Sequence, residues 1–276
     1  MNTKPNSLLI SESFNSIQGE GKTTGVPSYF VRLANCNLTC GASVAMVNQF
    51  KKGERNDAPA EFKGDLHESG KATWTCDSIP VWAKGESQPF EYLIDQWKAA
   101  GVYDEILSGL VHVIWTGGEP AIPMHQKAIV AFSDWWSTEF EDGVMNPFYE
   151  IETNGTMVLS DELFDRLDQI NCSPKLANSG MTEKQRINPA AIEKIMQHPN
   201  YQFKFVISTE EDVLEFLHDF VNRFDIPLQN VCCMPGLDSR EDFHERTRFV
   251  AEMAIKHRFI GMTRLHVSAW DKVVGV

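Results

Sequence analysis

The sequence has no long apolar run, no excess of basic residues and no internal repeat. Its apolar stretches are shorter than the ~20 residues that a membrane-spanning helix needs. The formal net charge is -13 at pH 7, which disfavours direct binding to the phosphate backbone of nucleic acids. The first ten residues, MNTKPNSLLI, lack the basic and apolar zones of a secretion signal. We therefore expect a cytoplasmic protein with no membrane and no direct nucleic-acid partner.

Cysteine is also scarce, with 6 residues in 276. In a cytosolic chain of this size, clustered cysteines indicate metal binding or catalysis more than disulfides. The adjacent Cys232 and Cys233 lie in the apolar stretch NVCCMP, which predicts a buried strand rather than a ligand site.

Apolar runs alternate with amphipathic stretches along most of the chain. Predicted strands cover residues 28–34, 111–117, 147–153, 169–173, 201–207, 230–234 and 263–269. Predicted helices begin near Phe90, near Met124, after Ser160, at Pro189 and after Thr209, and Ser239 is the expected cap of a last helix near 240–257. This alternation implies parallel strands joined by right-handed crossovers. Because about six units are too few for an eightfold barrel, we expect a partial (β/α)6-type barrel or an open sheet, with ligands at the carboxyl ends of the strands.

Three cysteines provide the first candidate site. Cys36 and Cys40 follow a predicted strand in RLANCNLTC, and Cys76 follows a polar stretch in WTCDS. Three thiolates can hold three irons of a [4Fe–4S] cluster and leave the fourth iron for an exogenous ligand. The same spacing is compatible with a zinc site that uses His67 as the fourth ligand, so both interpretations stand at this point.

Further polar motifs follow the predicted strands. TGGEP (116–120) offers two glycines for close backbone approach and one carboxylate for a ligand ammonium group. ETNGT (152–156), SPK (173–175) and SIQGEG (16–21) add polar side chains that could face a ligand, although each is also compatible with a plain turn. An arginine inside an apolar strand, Arg32, needs a carboxylate partner from the protein or from a substrate.

Taken together, these motifs resemble the 7-carboxy-7-deazaguanine synthases, which are radical S-adenosylmethionine (SAM) enzymes. The matching pieces run in family order from ESFNSIQGEG through GVPSYFVRLANCNLTC, TCDS, TGGEP, ETNG, SPK and KFV to LHVSAW. The resemblance implies a modified partial barrel of the radical SAM type. It also implies a lyase that converts 6-carboxy-5,6,7,8-tetrahydropterin to 7-carboxy-7-deazaguanine with loss of ammonia, in deazapurine (queuosine-type) biosynthesis.

The resemblance also implies roles for individual residues. The implied ligands of the [4Fe–4S] cluster are Cys36, Cys40 and Cys76, and the implied Mg²⁺ ligand is Ser78, where the family often has threonine. The implied SAM contacts, including two from ETNG, are Gly118, Glu119, Glu152, Asn154, Ser173, Pro174 and Lys175. The implied substrate contacts are Ile17, Gln18, Gly19, Glu20, Arg32 and Thr116. A homodimer and a reductant protein such as flavodoxin are the expected partners.

The chain departs from the family in one place, because the usual CxxxCxxC spacing is interrupted between the second and third cysteines. We interpret the chain as a single domain, residues 1–276, with residues 41–75 inserted in the cluster-binding loop as a polar, solvent-facing excursion without a core of its own. A long loop costs little extra closure entropy, so the third ligand can still reach the others. The insertion could bind a further protein.

Two other functions share part of this pattern. A radical-activating enzyme for a glycyl-radical partner protein would have the same cysteine loop and TGGEP. A non-enzymatic protein that binds zinc and a protein partner would need only the cysteines and the polar segment.

Overall fold

A nine-stranded mixed sheet forms the centre of the described part of the chain. The computed structural model describes residues 5–56, 67–139, 146–236 and 242–271. Within these ranges the strands are β1 (Ser7–Ile17), β2 (Pro27–Leu33), β3 (Glu86–Pro89), β4 (His112–Gly117), β5 (Tyr149–Thr153), β6 (Gln169–Cys172), β7 (Tyr201–Ile207), β8 (Val231–Pro235) and β9 (Ile260–Gly261). Their order is β3-β1-β2-β4-β5-β6-β7-β8-β9. In that order the strands from β2 across to β9 pair in parallel, whereas β1 is antiparallel to both β2 and β3.

Helices follow most of the parallel strands. In the described ranges they are α1 (Val44–Lys52), α2 (Ile79–Trp82), α3 (Phe90–Ala99), α4 (Tyr103–Leu107), α5 (Pro123–Glu139), α6 (Asp161–Phe164), α7 (Glu183–Arg186), α8 (Pro189–Met196), α9 (Glu210–Phe216), α10 (Phe243–His257) and α11 (Leu265–Trp270). A π-helical turn, Leu217–Asn222, continues α9. No helix in the described residues is both long enough and apolar enough to cross a membrane.

The two faces of the sheet differ in chemistry because side chains alternate along each strand. Tyr29, Val31 and Leu33 of β2 lie in the main apolar core with Val113 and Trp115 of β4. The alternate positions of the sheet carry mostly polar side chains, apart from Phe30 and Ile114, and several of these contact one another across the sheet. One face of the sheet is therefore largely polar, and the other face carries the main apolar core.

The α/β class and the order of parallel strands confirm the sequence prediction of a modified partial barrel. Six of the seven predicted strands form, and so do the helices predicted at Phe90, Met124, Ser160, Pro189 and Thr209. Ser160 and Thr209 cap their helices through their side chains, as expected. Cys232 and Cys233 are both fully buried in β8, as predicted. Ser239, the expected cap of the last helix, lies outside the described residues.

The prediction of a strand at 263–269 is wrong, because α11 occupies Leu265–Trp270. The alternation of apolar and polar residues in LHVSAW imitates a strand, but Val267 is the buried residue of this short helix. The main-chain N–H of Leu265 donates to the carbonyl of Gly19 at 3.0 Å, and not to a carbonyl of a neighbouring β-strand. β1 was missed because its sequence, SLLISESFNSI, is largely polar and gains its structure from pairing on both sides.

Segment 41–75, interpreted as a solvent-facing excursion without a core of its own, contributes buried residues to a core that it shares with α2, and its residues 57–66 lie outside the described ranges. Its first part forms α1, which is capped by Ser43 and ends at Gly53 in the left-handed conformation. Met46, Val47 and Phe50 on this helix are buried against Ile79 and Trp82 of α2 in a small second core. Three apolar residues on one face of α1 are sufficient to bury that face, although the segment as a whole is polar.

Candidate active site

The three predicted cluster ligands lie at one place in the fold. The main-chain N–H of Cys76 donates to the carbonyl of Cys40 at 3.0 Å, so the polar detour returns directly beside its starting point. Cys36 and Cys76 pack against a small buried group formed by Leu38, Cys40 and Met181. All three cysteines are free. The structure therefore brings together the donor set that the sequence predicted.

Burial raises the pKa of each of these thiols. The pKa of Cys40 rises to about 12, and the nearby Lys175 ammonium group opposes part of that rise. The pKa of Cys76 is also raised by burial, with Asp77 adding to the effect and Lys175 again opposing it. Because the thiolate is the form that binds metal, a cationic metal centre here would be needed to keep the sulfurs deprotonated.

The fit of these residues to a metal group depends on the kind of group. In the described ranges, no three His, Cys, Asp or Glu side chains have the arrangement of a site for one metal ion. The thiolates that bind an iron–sulfur cluster each hold a different iron, so three gathered thiols suit a cluster without meeting that geometry. His67, the alternative zinc ligand, is instead hydrogen-bonded through Nδ1 to the Ser69 hydroxyl at 2.9 Å.

The cysteine loop is in tight contact with TGGEP at the end of β4. The carbonyl of Asn35, a residue with a positive φ of 69°, accepts a hydrogen bond from the N–H of Glu119 at 3.0 Å. A Cβ atom at Gly118 would lie 1.9 Å from the Asn35 carbonyl oxygen, so only glycine fits at this position. This contact fixes the predicted SAM-binding glycine directly against the loop that carries Cys36.

Glu119 is fully buried, and its oxygens bind protein donors. It accepts hydrogen bonds from the Thr153 hydroxyl and the Asn154 N–H, both at 2.7 Å, and from the Ala121 N–H at 2.9 Å. Burial raises its pKa, and these hydrogen bonds oppose the rise. The carboxylate thus joins the ends of β4 and β5, where the sequence predicted a ligand contact.

The other predicted SAM contacts surround the cysteines from the neighbouring strand ends. Asn154 donates from its side chain to Asn37 Oδ1 in the cysteine loop at 3.0 Å. After β6, the N–H of Ser173 donates to the Thr153 carbonyl at 2.7 Å, and Lys175 Nζ lies 3.4 Å from the Ser173 hydroxyl. Pro174, between them, is buried. The ends of β4, β5 and β6 therefore meet around one site, as the parallel topology predicts.

A partly buried network of charges lies on the polar face of the sheet, with Lys204 as its buried member. Lys204 Nζ on β7 is 2.9 Å from Glu152 Oε1 and 3.2 Å from Glu20 Oε2. Arg264 Nε donates to Glu20 Oε1 at 2.8 Å. Burial on its own would raise the pKa of Glu152, but the Lys204 charge and the hydrogen bonds from Lys204 and Thr116 together outweigh it, and the pKa of Glu152 is lowered. Both carboxylates are therefore held in their charged form.

Several of the predicted substrate contacts belong to the same network. Gln18 donates from Nε2 to Glu152 Oε1 at 3.2 Å, and its own Oε1 accepts from the Glu20 N–H at 3.1 Å. The Thr116 hydroxyl donates to Glu152 Oε2 at 3.0 Å. Gly19 is buried next to Gln18, and Ile17 is half-buried at the end of β1. Glu152, which the sequence assigned to the cofactor, thus lies among the predicted substrate contacts.

Arg32 is outside this network but on the same face of the sheet. The strand register places it beside Thr116. Its Nε lies 3.3 Å from Glu12 Oε1, and its guanidinium lies over the Phe14 ring at 5.3 Å. The carboxylate partner that the sequence required is therefore present within the protein.

Ser78, the predicted Mg²⁺ ligand, precedes α2 directly after the third cysteine. Its hydroxyl donates to Asp77 Oδ1 at 3.1 Å and makes no capping hydrogen bond to α2. Asp77 also interacts electrostatically with Arg264, which connects this loop to the buried charges. A hydroxyl next to a carboxylate is a donor pair that Mg²⁺ accepts.

Three residues of the site were not predicted from the sequence, namely Lys204, Arg264 and His266. Lys204 lies in the apolar strand YQFKFVI, and the reasoning applied to Arg32 would have identified it. The other two are in or next to α11, which was assigned to a strand. His266 lies against Gly19, because a Cβ atom at Gly19 would be 1.9 Å from His266 Nδ1.

No protein-family model matches the chain. The solved structure of QueE from Escherichia coli superposes with a TM-score of 0.57 and 21% identity, over 94% of this chain and 95% of that one. Curated 7-carboxy-7-deazaguanine synthases match over nearly the whole chain. The protein from Pyrobaculum aerophilum is 28% identical over 271 residues, with 97% of each chain covered. The protein from Halobacterium salinarum is 27% identical over 287 residues, with 96% of this chain and 91% of the relative covered.

The fold and the site define an α/β protein with a QueE-type fold and three cysteines gathered at the carboxyl ends of its parallel strands. The chain is a homologue of the 7-carboxy-7-deazaguanine synthases, and the sequence resemblance is confirmed.

Proposed function

We propose that this chain catalyses the radical SAM ring contraction of 6-carboxy-5,6,7,8-tetrahydropterin to 7-carboxy-7-deazaguanine, with loss of ammonia. The enzyme is a carbon–nitrogen lyase of deazapurine biosynthesis. One observation supports this function above the others: three free thiols lie at the same end of the sheet as a buried polar network suited to a polar heterocycle. The full-length similarity to 7-carboxy-7-deazaguanine synthases agrees with it.

The residues present fit a [4Fe–4S] cluster held by Cys36, Cys40 and Cys76. When bound, such a cluster supplies the electron that starts radical chemistry on SAM. Lys175, which interacts electrostatically with Cys40 and Cys76, places a cation where the carboxylate of SAM would approach the cluster. Gly118 allows close backbone approach on the same side, and the remaining proposed contacts are Glu119, Glu152, Asn154, Ser173 and Pro174.

The partly buried network of charges around Lys204 provides the proposed substrate site. Glu20 and Glu152 are held charged by Lys204 and Arg264, so they accept hydrogen bonds from the N–H groups of a pterin without taking up protons. Gln18 and Thr116 orient the Glu152 carboxylate. Arg32 is the proposed partner of the substrate carboxylate, which would compete with Glu12 for the guanidinium. Ile17 and Gly19 complete the proposed set.

Ser78 is the proposed Mg²⁺ ligand, with Asp77 as the neighbouring carboxylate. Serine keeps the hydroxyl that a threonine would offer, so the chemistry of the ligand is the same. Replacement by alanine should reduce the stimulation of the reaction by Mg²⁺ and leave iron binding intact.

The organisation and partners of the chain belong to the same proposal. We propose a single domain over residues 1–276, in which segment 41–75 is an insertion in the cluster-binding loop that is free to bind a further protein. A homodimer and a reductant protein such as flavodoxin complete the proposed assembly. The proposed location is the cytoplasm, where thiols stay reduced.

Anaerobic reconstitution with iron and sulfide, followed by an assay with carboxy-tetrahydropterin, SAM, Mg²⁺ and a reductant, tests the function. The expected product is 7-carboxy-7-deazaguanine, identified by mass, and the C76A variant is the control. Cleavage of SAM without this product would overturn the substrate assignment. A colourless protein with zinc bound would overturn the radical chemistry.

A further inference from the structure

Both ends of segment 41–75 dock on the same short turn of the fold. The turn is a 3-10 helix, Ala177–Ser179, which follows SPK. At the outgoing end, the N–H of Gly41 donates to the Ser179 carbonyl at 2.8 Å. At the returning end, the N–H of Thr73 donates to the Asn178 carbonyl at 2.9 Å. A sequence detour of more than thirty residues therefore begins and ends on two adjacent residues of one turn.

The contact between the two ends is close. A Cβ atom at Gly41 would lie 1.8 Å from the Trp74 carbonyl oxygen, so the backbone of the returning segment packs directly against this glycine. The Thr75 hydroxyl donates to the Gly41 carbonyl at 3.3 Å. Cys76 comes next in the chain, and its N–H reaches the Cys40 carbonyl.

The side chain of Asn178 joins this contact to the body of the fold. Its Oδ1 accepts a hydrogen bond from the Trp74 indole N–H at 2.9 Å. Its Nδ2 donates to Asp212 Oδ1, also at 2.9 Å. Asp212 is buried, and its other oxygen accepts from the N–H groups of Ser208 and Thr209 at the start of α9. One amide thus bridges the insertion to a rigid helix terminus.

We propose that Asn178, fixed by Asp212, is a positioning residue that clamps the returning end of segment 41–75 and so holds Cys76 beside Cys40. Without the clamp, the returning end would keep only its local hydrogen bonds to Gly41 and Cys40 and would lose its side-chain link to α9. In a CxxxCxxC loop, the short spacing itself keeps the third cysteine close to the other two. Here the spacing is long, and the clamp has that role. The link to cluster binding rests on the proposed function, but the clamp itself is a property of the protein without cofactor.

Hydrogen exchange of the cofactor-free protein tests the clamp directly. The amides of Thr73 and Cys76 are protected by the hydrogen bonds described above, and they exchange only when the returning end opens. N178D puts a carboxylate against Asp212 and should increase the exchange rate of these amides about tenfold. W74F, which replaces the indole by a smaller ring without an N–H donor, should give a smaller increase because it introduces no contact between like charges.

A charge-swapped pair provides the rescue. In N178D/D212N, the carboxylate at position 178 can accept hydrogen bonds from the Trp74 indole and from the new amide group at position 212. The amide oxygen at position 212 can still accept from the N–H groups of Ser208 and Thr209. The double variant should therefore restore the slow exchange.

The matched control is N200D, which makes the same chemical change elsewhere in the fold. The side chain of Asn200 donates to the Asp168 carbonyl just before β7, at the opposite end of the sheet. N200D should leave the exchange of residues 72–77 unchanged.

Iron content after anaerobic reconstitution is the second measurement. The iron content of N178D should be several-fold lower than that of the wild-type protein, and N178D/D212N should restore the wild-type iron content. Unchanged exchange in N178D would overturn the clamp, and faster exchange with full iron content would overturn its role in positioning the ligand. A wild-type protein that binds iron but makes no 7-carboxy-7-deazaguanine would overturn the proposed function while leaving both measurements valid.

Discussion

Lys204 Nζ lies between Glu20 and Glu152, at 3.2 Å from the first carboxylate and 2.9 Å from the second. One buried ammonium group is therefore shared by two acids that would otherwise repel each other. Because its side chain is only 2% exposed, its charge is compensated by these partners rather than by water. This arrangement keeps two charged acceptors on the polar face of the sheet.

Replacement of Lys204 by methionine should destabilise the fold by about 3 kcal/mol at pH 7, because it leaves the partly buried Glu152 without its cation and leaves Glu20 with Arg264 alone. The pH dependence of the free energy of unfolding should also change sign. In the wild-type protein the pKa of Glu152 is lowered, so this stability is present above the usual pKa of 4.5 and is lost as the pH falls toward the lowered pKa. In K204M the unpaired Glu152 carboxylate should bind a proton more readily in the folded state than in the unfolded state, so stability should increase from pH 7 to pH 5. Urea unfolding at both pH values measures this, and a K204M midpoint that falls on acidification would contradict it.

The variant C76A should lose the [4Fe–4S] cluster, since two thiols at this site cannot hold it. Iron and sulfide content after anaerobic reconstitution, together with the visible absorption of the protein, measures the loss. C233A is the matched control, because Cys233 is fully buried in β8 within the main core and should not affect iron binding. Full iron content in C76A would mean that another residue is the third ligand.

The variant R32A should raise the KM for the pterin about tenfold or more and spare the cluster, because a charged hydrogen bond to the substrate carboxylate would be lost. E12Q is the informative control, since it removes the charged protein partner of Arg32 without removing the guanidinium. We expect E12Q to leave KM unchanged or to lower it. If R32A has a normal KM, Arg32 is only the partner of Glu12.

Gly19 is predicted to tolerate no side chain, because its Cβ would overlap the His266 ring on α11. G19A should therefore destabilise the docking of α11 by about 1–3 kcal/mol. Faster hydrogen exchange across residues 262–270 would report this, and G19A/H266A should restore slow exchange by removing the overlapping ring. Unchanged exchange in G19A would show that the helix accommodates the methyl group in another way.

Much of the site could be predicted because parallel strands bring their carboxyl ends to one edge of a sheet. TGGEP, ETNGT and SPK each follow a strand, and the structure places them around the cysteines as this rule requires. β1 and α11 could not be predicted in the same way. The polar sequence of β1 becomes a strand only because it has neighbours on both sides, and LHVSAW has the same local pattern in a strand and in a helical turn.

The sequence by itself determined the donor set, the alternation of strands and helices from β4 to α10 and the family resemblance, since these depend on residue types and local periodicity. Only the tertiary structure decided that Cys76 returns to Cys40, that Asn178 anchors the returning end of the detour, and that Lys204, Arg264 and His266 lie beside Gln18, Gly19 and Glu20. These contacts join residues that are tens to hundreds of positions apart. No local pattern specifies these contacts, because they form only when the strands assemble into the sheet and the connecting segments pack against it.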